Sequence, residues 1–351
     1  MWYIIPSVGQ VVFYRKYRPQ SWGEVLGQEH VTRVLANAVR GKQVAHAYLF
    51  SGPRGTGKTS VARIFARELG VSETDFYEID GASNRGIDEV RALREAVTTR
   101  PFDSAYKVYV IDEVHMLTRE AFNALLKTLE EPPAHVVFIL ATTELHKIPE
   151  TILSRCQSFF FRRPMARVLK KAILDIAKKE KVSLADDAAS LIVFLAEGSF
   201  RDAEGILEQI VTFSKKGAIT REDVESVTGA PRMELVKNFI LGMLDKDTKR
   251  GLSAVRSAAG QNIDMKIFTR LVMKHLRYAL LLSYAPSMKE ELIEEAGEEE
   301  GTFAGELSRR ENASTIPDML LALIDAHEEI SRSYLPELPL ELALIKTIGQ
   351  D

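Results

Sequence analysis

Cysteine is nearly absent from this sequence: Cys156 is the only one among 351 residues. A single cysteine cannot form a disulfide within the chain, which is typical of proteins that stay in a reducing cytosol. A zinc site built on several cysteines is also excluded. We interpret Cys156 as a small buried core residue, the alternative being a redox switch beside Arg155.

Long hydrophobic runs are missing as well. No stretch of about 18 apolar residues occurs, so the sequence predicts no membrane-spanning helix. Residues 1–6 have no basic residue ahead of the apolar ones and no clear small-residue cleavage site, so we expect no signal peptide. Residues 1–13 are interpreted as an extended leader. Together these features predict a cytoplasmic protein.

Neither sign of charge dominates. The chain has 46 basic and 49 acidic residues, and its formal net charge is −3. A protein-wide basic surface for nucleic acid is therefore excluded, and DNA would have to be bound by local patches or by partner subunits. One biased stretch, residues 289–300, has seven glutamates against one lysine, and we expect it to be a solvated helix or loop.

Short apolar strands alternate with amphipathic helices in the first half of the chain. The predicted strands are residues 47–50, 76–79, 107–111 and 136–141, and the predicted helices are residues 29–40, 58–69, 88–97 and 119–130. This alternation predicts a parallel α/β sheet with helices on both faces. After Phe161 the strand signals almost vanish.

The length allows two or three domains of about 150 residues each. We predict an α/β nucleotide-binding domain over residues 1–162, a small helical lid over 163–228 and an all-helical domain over 229–351. The last helix of the lid is expected to begin at Thr220, with Asp223 completing a capping box.

Residues 52–59 read Gly-Pro-Arg-Gly-Thr-Gly-Lys-Thr and match the P-loop pattern in full, between a predicted strand and a predicted helix. Glycines let the backbone wrap closely around phosphate oxygens, and the helix adds the positive end of its dipole. Lys58 would bind the β- and γ-phosphates, and the Thr59 hydroxyl can ligate Mg²⁺. The candidate residues for binding the nucleotide are Gly52, Pro53, Arg54, Gly55, Thr56, Gly57, Lys58, Thr59 and Ser60.

Two carboxylates, Asp112 and Glu113, follow the apolar strand that begins at Lys107, about 55 residues after the P-loop. A strand of this kind carries them to the carboxyl edge of the sheet, where open α/β sheets bind ligands. Asp112 would hold Mg²⁺, and Glu113 would position or deprotonate the attacking water. The second carboxylate favours hydrolysis over transfer to another substrate. The alternative is a surface pair at a strand end.

Three further polar signals are weak when taken singly. Thr142 and Thr143 end a buried strand, where threonine is ordinary. Arg155 follows a predicted short helix and can equally be a structural ion-pair residue. Arg201, at the start of a lid helix, can equally pair with an acidic neighbour.

The order of these motifs resembles the AAA+ clamp-loader ATPases, and most specifically the gamma/tau subunits of bacterial DNA polymerase III. The match is specific over residues 14–228 and looser from 229 to 351. The stretches that carry it are Tyr17-Arg18-Pro19, Val25-Leu26-Gly27-Gln28, the P-loop, Asp112-Glu113-Val114-His115, Leu125-Leu126-Lys127-Thr128-Leu129-Glu130-Glu131-Pro132-Pro133, Ser154-Arg155-Cys156 and Gly198-Ser199-Phe200-Arg201-Asp202.

The resemblance implies a role for each matching position. Lys58 with Thr59 would be the Walker A pair, and Asp112 with Glu113 the Walker B pair. Thr143 would be sensor 1, Arg201 sensor 2 in the lid, and Arg155 an arginine finger that reaches a neighbouring subunit's site. The segment that would contact adenine includes Tyr17, Arg18, Pro19, Val25 and Leu26.

The resemblance also implies partners and cofactors. ATP and Mg²⁺ are expected, and the partners would be the sliding clamp, primer-template DNA and other loader subunits (further copies, delta and delta-prime), joined through a helical collar in residues 229–351. Relatives usually carry a four-cysteine zinc module before the second strand. Here only the six residues 70–75 fill that place, so no zinc is expected.

Two other functions remain open from the sequence. Asp112-Glu113-Val114-His115 also suits a DNA helicase or branch-migration motor, although residues 229–351 lack the alternation of a second motor domain. A scaffold that does not hydrolyse ATP is the other alternative, against which Lys58, Thr59 and Glu113 argue.

Overall fold

The structure, a computed structural model, describes residues 11–214 and 217–349. They form two compact units. The first contains the chain up to Leu169 together with Gly198–Gly205, and the second contains Lys170–Glu197 and the chain from Ile206. The domain limits at residues 162 and 228 stay a prediction.

The first unit contains strands and helices in alternation. Its elements are α1 (Phe13–Lys16), α2 (Glu29–Arg40), β1 (Ala47–Ser51), α3 (Lys58–Glu68), β2 (Phe76–Asp80), α4 (Ile87–Thr98), β3 (Lys107–Asp112), α5 (Arg119–Glu130), β4 (Val136–Thr142), α6 (Glu150–Leu153) and β5 (Gln157–Phe160). The bounds of α2 and α5 are those predicted. The predicted leader is outside the described residues from 1 to 10, and at its end Phe13 is buried and begins a helix.

Five strands form one parallel sheet in the order β2-β3-β4-β1-β5. The predicted α/β class is confirmed, and β5 is a fifth strand in addition to the four that were predicted. Only Phe159 of the four β5 residues is buried, because β5 lies at the edge of the sheet. The sequence signal for β5 is short, three consecutive phenylalanines at Phe159–Phe161, and the strand itself spans only four residues.

Alternate residues of the central strands pack on opposite faces of the sheet, as the two-residue period of a strand requires. Tyr48 and Phe50 of β1 join a core with residues of α2 and α3. Leu49 joins a second core with residues of α4 and α5. Fully burying such a side chain stabilises the fold by roughly 1.5–3 kcal/mol.

The parallel arrangement places the carboxyl ends of β1, β3 and β4 at one edge of the sheet. The P-loop leaves β1 there, Asp112 is the last residue of β3, and Thr142 is the last residue of β4. Residues far apart in sequence therefore meet at this edge.

The second unit is mainly helical, with one pair of two-residue parallel strands. The elements from residue 166 onward, some shared with the first unit, are α7 (Ala166–Lys179), β6 (Ser183–Leu184), α8 (Asp186–Leu195), α9 (Phe200–Phe213), β7 (Ala218–Ile219), α10 (Arg221–Thr228), α11 (Met233–Leu244), α12 (Thr248–Gly260), α13 (Met265–Tyr284), α14 (Lys289–Ala296), α15 (Glu298–Ser308), α16 (Ile316–Glu329) and α17 (Leu338–Ile348). The capping box of Thr220 and Asp223 is confirmed at the start of α10. None of the helices within residues 11–214 and 217–349 is long and apolar enough to cross a bilayer.

One residue of the acidic stretch 289–300 contradicts the prediction of a solvated segment. Glu300, in α15, is only 2% exposed. Its Oε1 accepts a hydrogen bond of 2.9 Å from Arg221, and its Oε2 lies 2.7 Å from Lys274 Nζ. Basic partners on α10 and α13 neutralise this glutamate, which lets it be buried. The glutamates that are exposed as predicted are Glu290, Glu291, Glu294, Glu298 and Glu299.

Candidate nucleotide-hydrolysis site

The P-loop connects β1 to α3, and two of its glycines have no room for a side chain. Gly52 has a φ of 144°, and a Cβ there would lie 2.2 Å from the carbonyl oxygen of Phe161. Gly55 has a φ of 72°, and a Cβ there would lie 1.9 Å from Ser199 Oγ. The N–H of Phe200 donates to the Gly55 carbonyl (3.0 Å), so the start of α9 contacts the loop directly.

Lys58 is the first residue of α3, and its side chain reaches back across the P-loop. The buried Nζ donates to the carbonyl oxygens of Gly52 (2.7 Å) and Pro53 (2.9 Å). Burial lowers the pKa of Lys58, while Glu113 and Asp112 act in the opposite direction. The ammonium is thus held over the loop that would cradle the phosphates.

Thr59 and Asp112 come together although 53 positions separate them. Thr59 Oγ1 donates to Asp112 Oδ2 at 3.0 Å, and Asp112 Oδ1 accepts from the N–H of Glu113 at 3.0 Å. A hydroxyl and a carboxylate are the hard oxygen ligands that Mg²⁺ prefers, so the pair fits the predicted metal. No cluster of three or more His, Cys, Asp or Glu suited to a metal occurs in the described part of the chain. A Mg²⁺ ion held with phosphate needs only one or two protein carboxylates.

Glu113 follows β3 in the left-handed backbone conformation, with φ 48° and ψ 45°. A non-glycine residue in this region costs of order 1–3 kcal/mol. Its Oε2 accepts hydrogen bonds from the Thr143 hydroxyl (3.0 Å) and the Thr143 N–H (3.3 Å). The predicted base and the predicted sensor 1 are therefore in direct contact.

His115 is a site residue that the sequence reasoning missed. Its side chain is 6% exposed, and its Nδ1 lies 3.3 Å from Glu113 Oε2 and 3.1 Å from Thr142 Oγ1. Its Nε2 lies 3.2 Å from Glu144 Oε1. The only sequence signal was its place two positions after the Asp112-Glu113 pair.

Arg201 and Arg18 belong to a cluster of cations in the first unit. The Arg201 guanidinium carbon lies 4.7 Å from the centroid of the Tyr14 ring, a cation–π distance. Burial, then Arg63, lowers the pKa of Arg18, Glu78 opposes this shift, and Arg15 and Arg201 lower the pKa further. Such concentrated positive charge suits a polyphosphate.

Glu204 lies one turn after Arg201 on α9 and was not predicted. Burial raises the pKa of its carboxyl to about 7, against the opposing effect of Arg18. At neutral pH this carboxyl is therefore only partly ionised, and it offsets the positive charge of Arg18 incompletely.

The segment predicted to contact adenine has a mixed environment. Val25 is buried in the core against the sheet, Leu26 is exposed, and Tyr17, Arg18 and Pro19 are half-buried. The predicted contact with adenine stays a prediction. In the P-loop itself Arg54 is exposed, Ser60 is half-buried, and Thr56 Oγ1 donates to the Pro53 carbonyl at 2.8 Å.

Gln28 is another residue whose role the sequence reasoning missed. It is fully buried, its Nε2 donates to the carbonyl of Arg162 (2.7 Å), and its Oε1 accepts from the Arg162 N–H (3.1 Å). Nε2 also lies 3.4 Å from the Thr56 carbonyl. Gln28 thus links the P-loop to the segment that follows β5.

Arg155 does not join the groups around the P-loop. Its Nη2 donates to Glu130 Oε1 at 2.6 Å, and its Nη1 donates to the Thr151 carbonyl at 2.8 Å. The ion pair considered from the sequence is present, and the role toward a neighbouring subunit stays a prediction. Cys156 beside it is partly buried against the sheet core, and burial raises the pKa of its thiol to about 11, which disfavours the thiolate form.

Two protein-family models match the chain. Residues 27–85 and 71–165 match the model for "DNA polymerase III, delta subunit". Residues 219–350 match the model for "DNA polymerase III subunits gamma and tau domain III". The second match covers most of the predicted collar.

Curated relatives extend the match across most of the chain. The chain is 39% identical to DNA polymerase III subunit tau of Bacillus subtilis over 355 aligned residues, covering 95% of this chain and 62% of that protein. It belongs to the gamma/tau family of DNA polymerase III subunits. The Escherichia coli tau subunit is 34% identical over 96% of this chain and 55% of its own length. The chain thus spans only about three fifths of these gamma/tau relatives.

Among solved structures, the Thermotoga maritima RuvB Holliday junction branch migration motor is similar. It matches with a TM-score of 0.51 and 24% identity over 65% of this chain and 79% of RuvB. This likeness supports the AAA+ fold and nothing further.

Proposed function

We propose that this gamma/tau-family chain is an ATP-driven subunit of the sliding-clamp loader that serves the replicative DNA polymerase III. ATP binding would fix an assembly that opens the clamp, and hydrolysis on primed DNA would release the closed clamp. Two hydrogen bonds next to a complete P-loop carry the proposal. One joins Thr143 to Glu113, and the other joins Thr59 to Asp112.

Nucleotide binding follows from the P-loop geometry. The loop between Gly52 and Lys58 would wrap the phosphates with its N–H groups, and Lys58 would exchange its two carbonyl contacts for phosphate oxygens. Thr59 and Asp112 would hold Mg²⁺, which neutralises phosphate charge when it is bound. Arg18 and Arg201 would add positive charge from the same unit.

Hydrolysis requires a water held in line with the terminal phosphate. The Glu113 carboxylate would accept a proton from this water, and Thr143 would keep the carboxylate oriented through its two hydrogen bonds. Catalysis then consists of positioning and charge stabilisation, with little covalent chemistry by the protein.

Arg155 would act on the site of a neighbouring subunit. Its planar guanidinium suits two phosphate oxygens, and an arginine supplied in trans is worth roughly 10³–10⁵ in rate in comparable NTPases. The Glu130 carboxylate would have to release it first. Hydrolysis would therefore depend on assembly.

Assembly is proposed to use the helices of the predicted collar. Leu321 and Ile324 on α16 are exposed, and so are Leu342 and Ile345 on α17, at spacings that put each pair on one side of its helix. Exposed apolar stripes of this kind suit burial against another subunit. We propose copies of the chain, delta and delta-prime as neighbours, and the clamp and primer-template DNA as further partners in the bacterial cytoplasm.

The alternative of a helicase or branch-migration motor is not favoured. Likeness to RuvB extends to the fold only, while residues 219–350 match the gamma and tau domain and fold as helices. The scaffold alternative is disfavoured by the intact Lys58, Thr59 and Glu113.

The test is ATP hydrolysis by a loader reconstituted from this chain and its proposed partner subunits. We expect the rate to rise when both clamp and primed DNA are added, with no strand displacement on a forked duplex. A rate that is indifferent to both additions, or strand displacement driven by ATP, would contradict the proposal. A lack of ATP binding would favour the scaffold.

A further inference from the structure

We propose that His115 is a positioning residue that, together with Thr143, determines which oxygen of Glu113 faces the attacking water. The inference rests on the proposed ATPase function. It comes from the location of a buried imidazole between two carboxylates, Glu113 and Glu144.

The contacts of His115 hold its ring between two carboxylates. Glu144 is an acceptor only, because Lys147 lies 2.8 Å from its Oε2 and, first through its hydrogen bond, lowers the pKa of the carboxyl. Nε2 must therefore carry the proton that points at Glu144. Thr142 Oγ1 already accepts from the Glu144 N–H at 2.9 Å, so its own O–H can donate to Nδ1 at 3.1 Å. The ring is thus held from both sides.

The fixed ring constrains Glu113. Three contacts fall on the same carboxylate oxygen, Oε2: the N–H and O–H of Thr143, and Nδ1 of His115 at 3.3 Å. The N–H and O–H of Thr143 hold Oε2 by hydrogen bonds. The His115 ring fills the space between Glu113 and Glu144, so Oε2 cannot rotate toward Glu144. Oε1 is then the oxygen that turns to the water.

The protein offers a matched pair of substitutions to test this. The side-chain amide of His115→Asn can reach the position of Nδ1, beside Glu113 and Thr142. The longer amide of His115→Gln can reach the position of Nε2, beside Glu144. Only the first keeps a group next to the Glu113 carboxylate, so the two variants separate positioning of Glu113 from general support of the loop.

We expect His115→Ala and His115→Gln to lower kcat about ten- to a hundredfold, with the Kd for ATP changed less than about twofold, because a misplaced catalytic group costs rate rather than binding. His115→Asn should recover most of kcat. The exposed His46→Asn serves as the histidine control and should match the parent. Glu144→Gln keeps the shape of the side chain that contacts His115 Nε2 but removes its charge. We expect this variant to lower kcat severalfold.

Two results would overturn the inference. One is a kcat for His115→Gln equal to or above that of His115→Asn. The other is a loss that appears in ATP affinity alone. If the His115 variants do not fold, the kcat of Glu144→Gln serves as the test. An unchanged kcat for that variant would also overturn the inference. Failure of the proposed function looks different, because the parent itself would then not hydrolyse ATP or Glu113→Gln would hydrolyse it normally.

Discussion

Arg155 and Glu130 form an ion pair in which Nη2 lies 2.6 Å from Oε1, with the Arg155 side chain one third exposed. Exposed pairs contribute only about 0–1 kcal/mol to stability, so this contact can be broken at low cost when a phosphate competes for the guanidinium. The pair would hold Arg155 until a neighbouring subunit presents its nucleotide.

The first prediction is that Glu130→Gln raises or preserves ATP hydrolysis in the assembled loader, since it removes the competing charge. The thermal midpoint should shift little, because an exposed pair contributes about 1 kcal/mol or less. A steady-state ATPase assay with clamp and primed DNA measures the rate, and calorimetry checks the fold. A rate well below that of the parent, with the fold intact, would show that Arg155 needs Glu130 in order to act.

The second prediction separates binding from turnover at the P-loop site. Glu113→Gln should bind ATP as the parent does and lose turnover by about 10²-fold or more, because shape is kept while the proton acceptor is lost. Lys58→Ala should instead weaken nucleotide binding. Equilibrium binding of a fluorescent ATP analogue, together with the ATPase rate, distinguishes the two. If Glu113→Gln hydrolysed ATP at the parent rate, Glu113 would not be the proton acceptor for the attacking water.

The third prediction concerns the buried cluster of the second unit, where His275 lies among Arg221, Lys274 and Glu300. Neither ring nitrogen of His275 has a hydrogen-bond partner among the described residues, and burial lowers its pKa to about 4. Burial alone would raise the pKa of Glu300, but Lys274 and the other nearby cations outweigh it and lower that pKa to about 2.

Both groups bind protons more readily in the unfolded chain, so stability falls as the pH falls. The His275 contribution is complete above pH 6.5 and is lost progressively down to about pH 4. The Glu300 contribution is complete above its ordinary pKa of 4.5 and is lost toward about 2. Each shift corresponds to roughly 3 kcal/mol at most.

The variant that tests this is His275→Leu. The difference in Tm between pH 7.5 and pH 5 should be smaller in His275→Leu than in the parent or in the control His46→Asn. An equal difference in all three proteins would mean that the acid sensitivity in this range comes from other groups.

The fourth prediction is that the protein folds without zinc. The residues between Gly70 and Asp75 contain no cysteine, and 3-10 helix occupies Glu73–Asp75 at the place of the family's module. Dialysis against a chelator should leave the circular dichroism spectrum and the Tm unchanged. Stoichiometric zinc in elemental analysis after this dialysis would overturn the prediction.

Local patterns predicted the parts of the site that depend on neighbouring residues in sequence. The P-loop and the Asp112-Glu113 pair follow from glycine spacing and from an apolar strand that ends in carboxylates. The parallel sheet then requires the two to meet, as the hydrogen bond from Thr59 to Asp112 shows. Helices such as α5 were predicted with their bounds because caps and apolar spacing are also local.

What the sequence could not predict depends on distant partners. Gln28 is explained by the backbone of Arg162, and Glu300 by Arg221, 79 positions away. His115 owes its place to Glu144 across the end of β4. The acidic stretch 289–300 was therefore predicted to be solvated, and His115 was given no role. In both cases burial depends on elements that are distant in sequence and pack together only in the fold.

The central claim, that one subunit's P-loop works with a neighbour's Arg155, is tested most directly by mixing two inactive proteins. Lys58→Ala has an empty site but an intact finger, and Arg155→Ala has an intact site but no finger. In mixed loaders, verified by native mass spectrometry, an Arg155→Ala site beside a Lys58→Ala finger should restore part of the ATPase activity. Mixed assemblies that stay inactive would contradict the account and leave Arg155 as the ion-pair partner of Glu130.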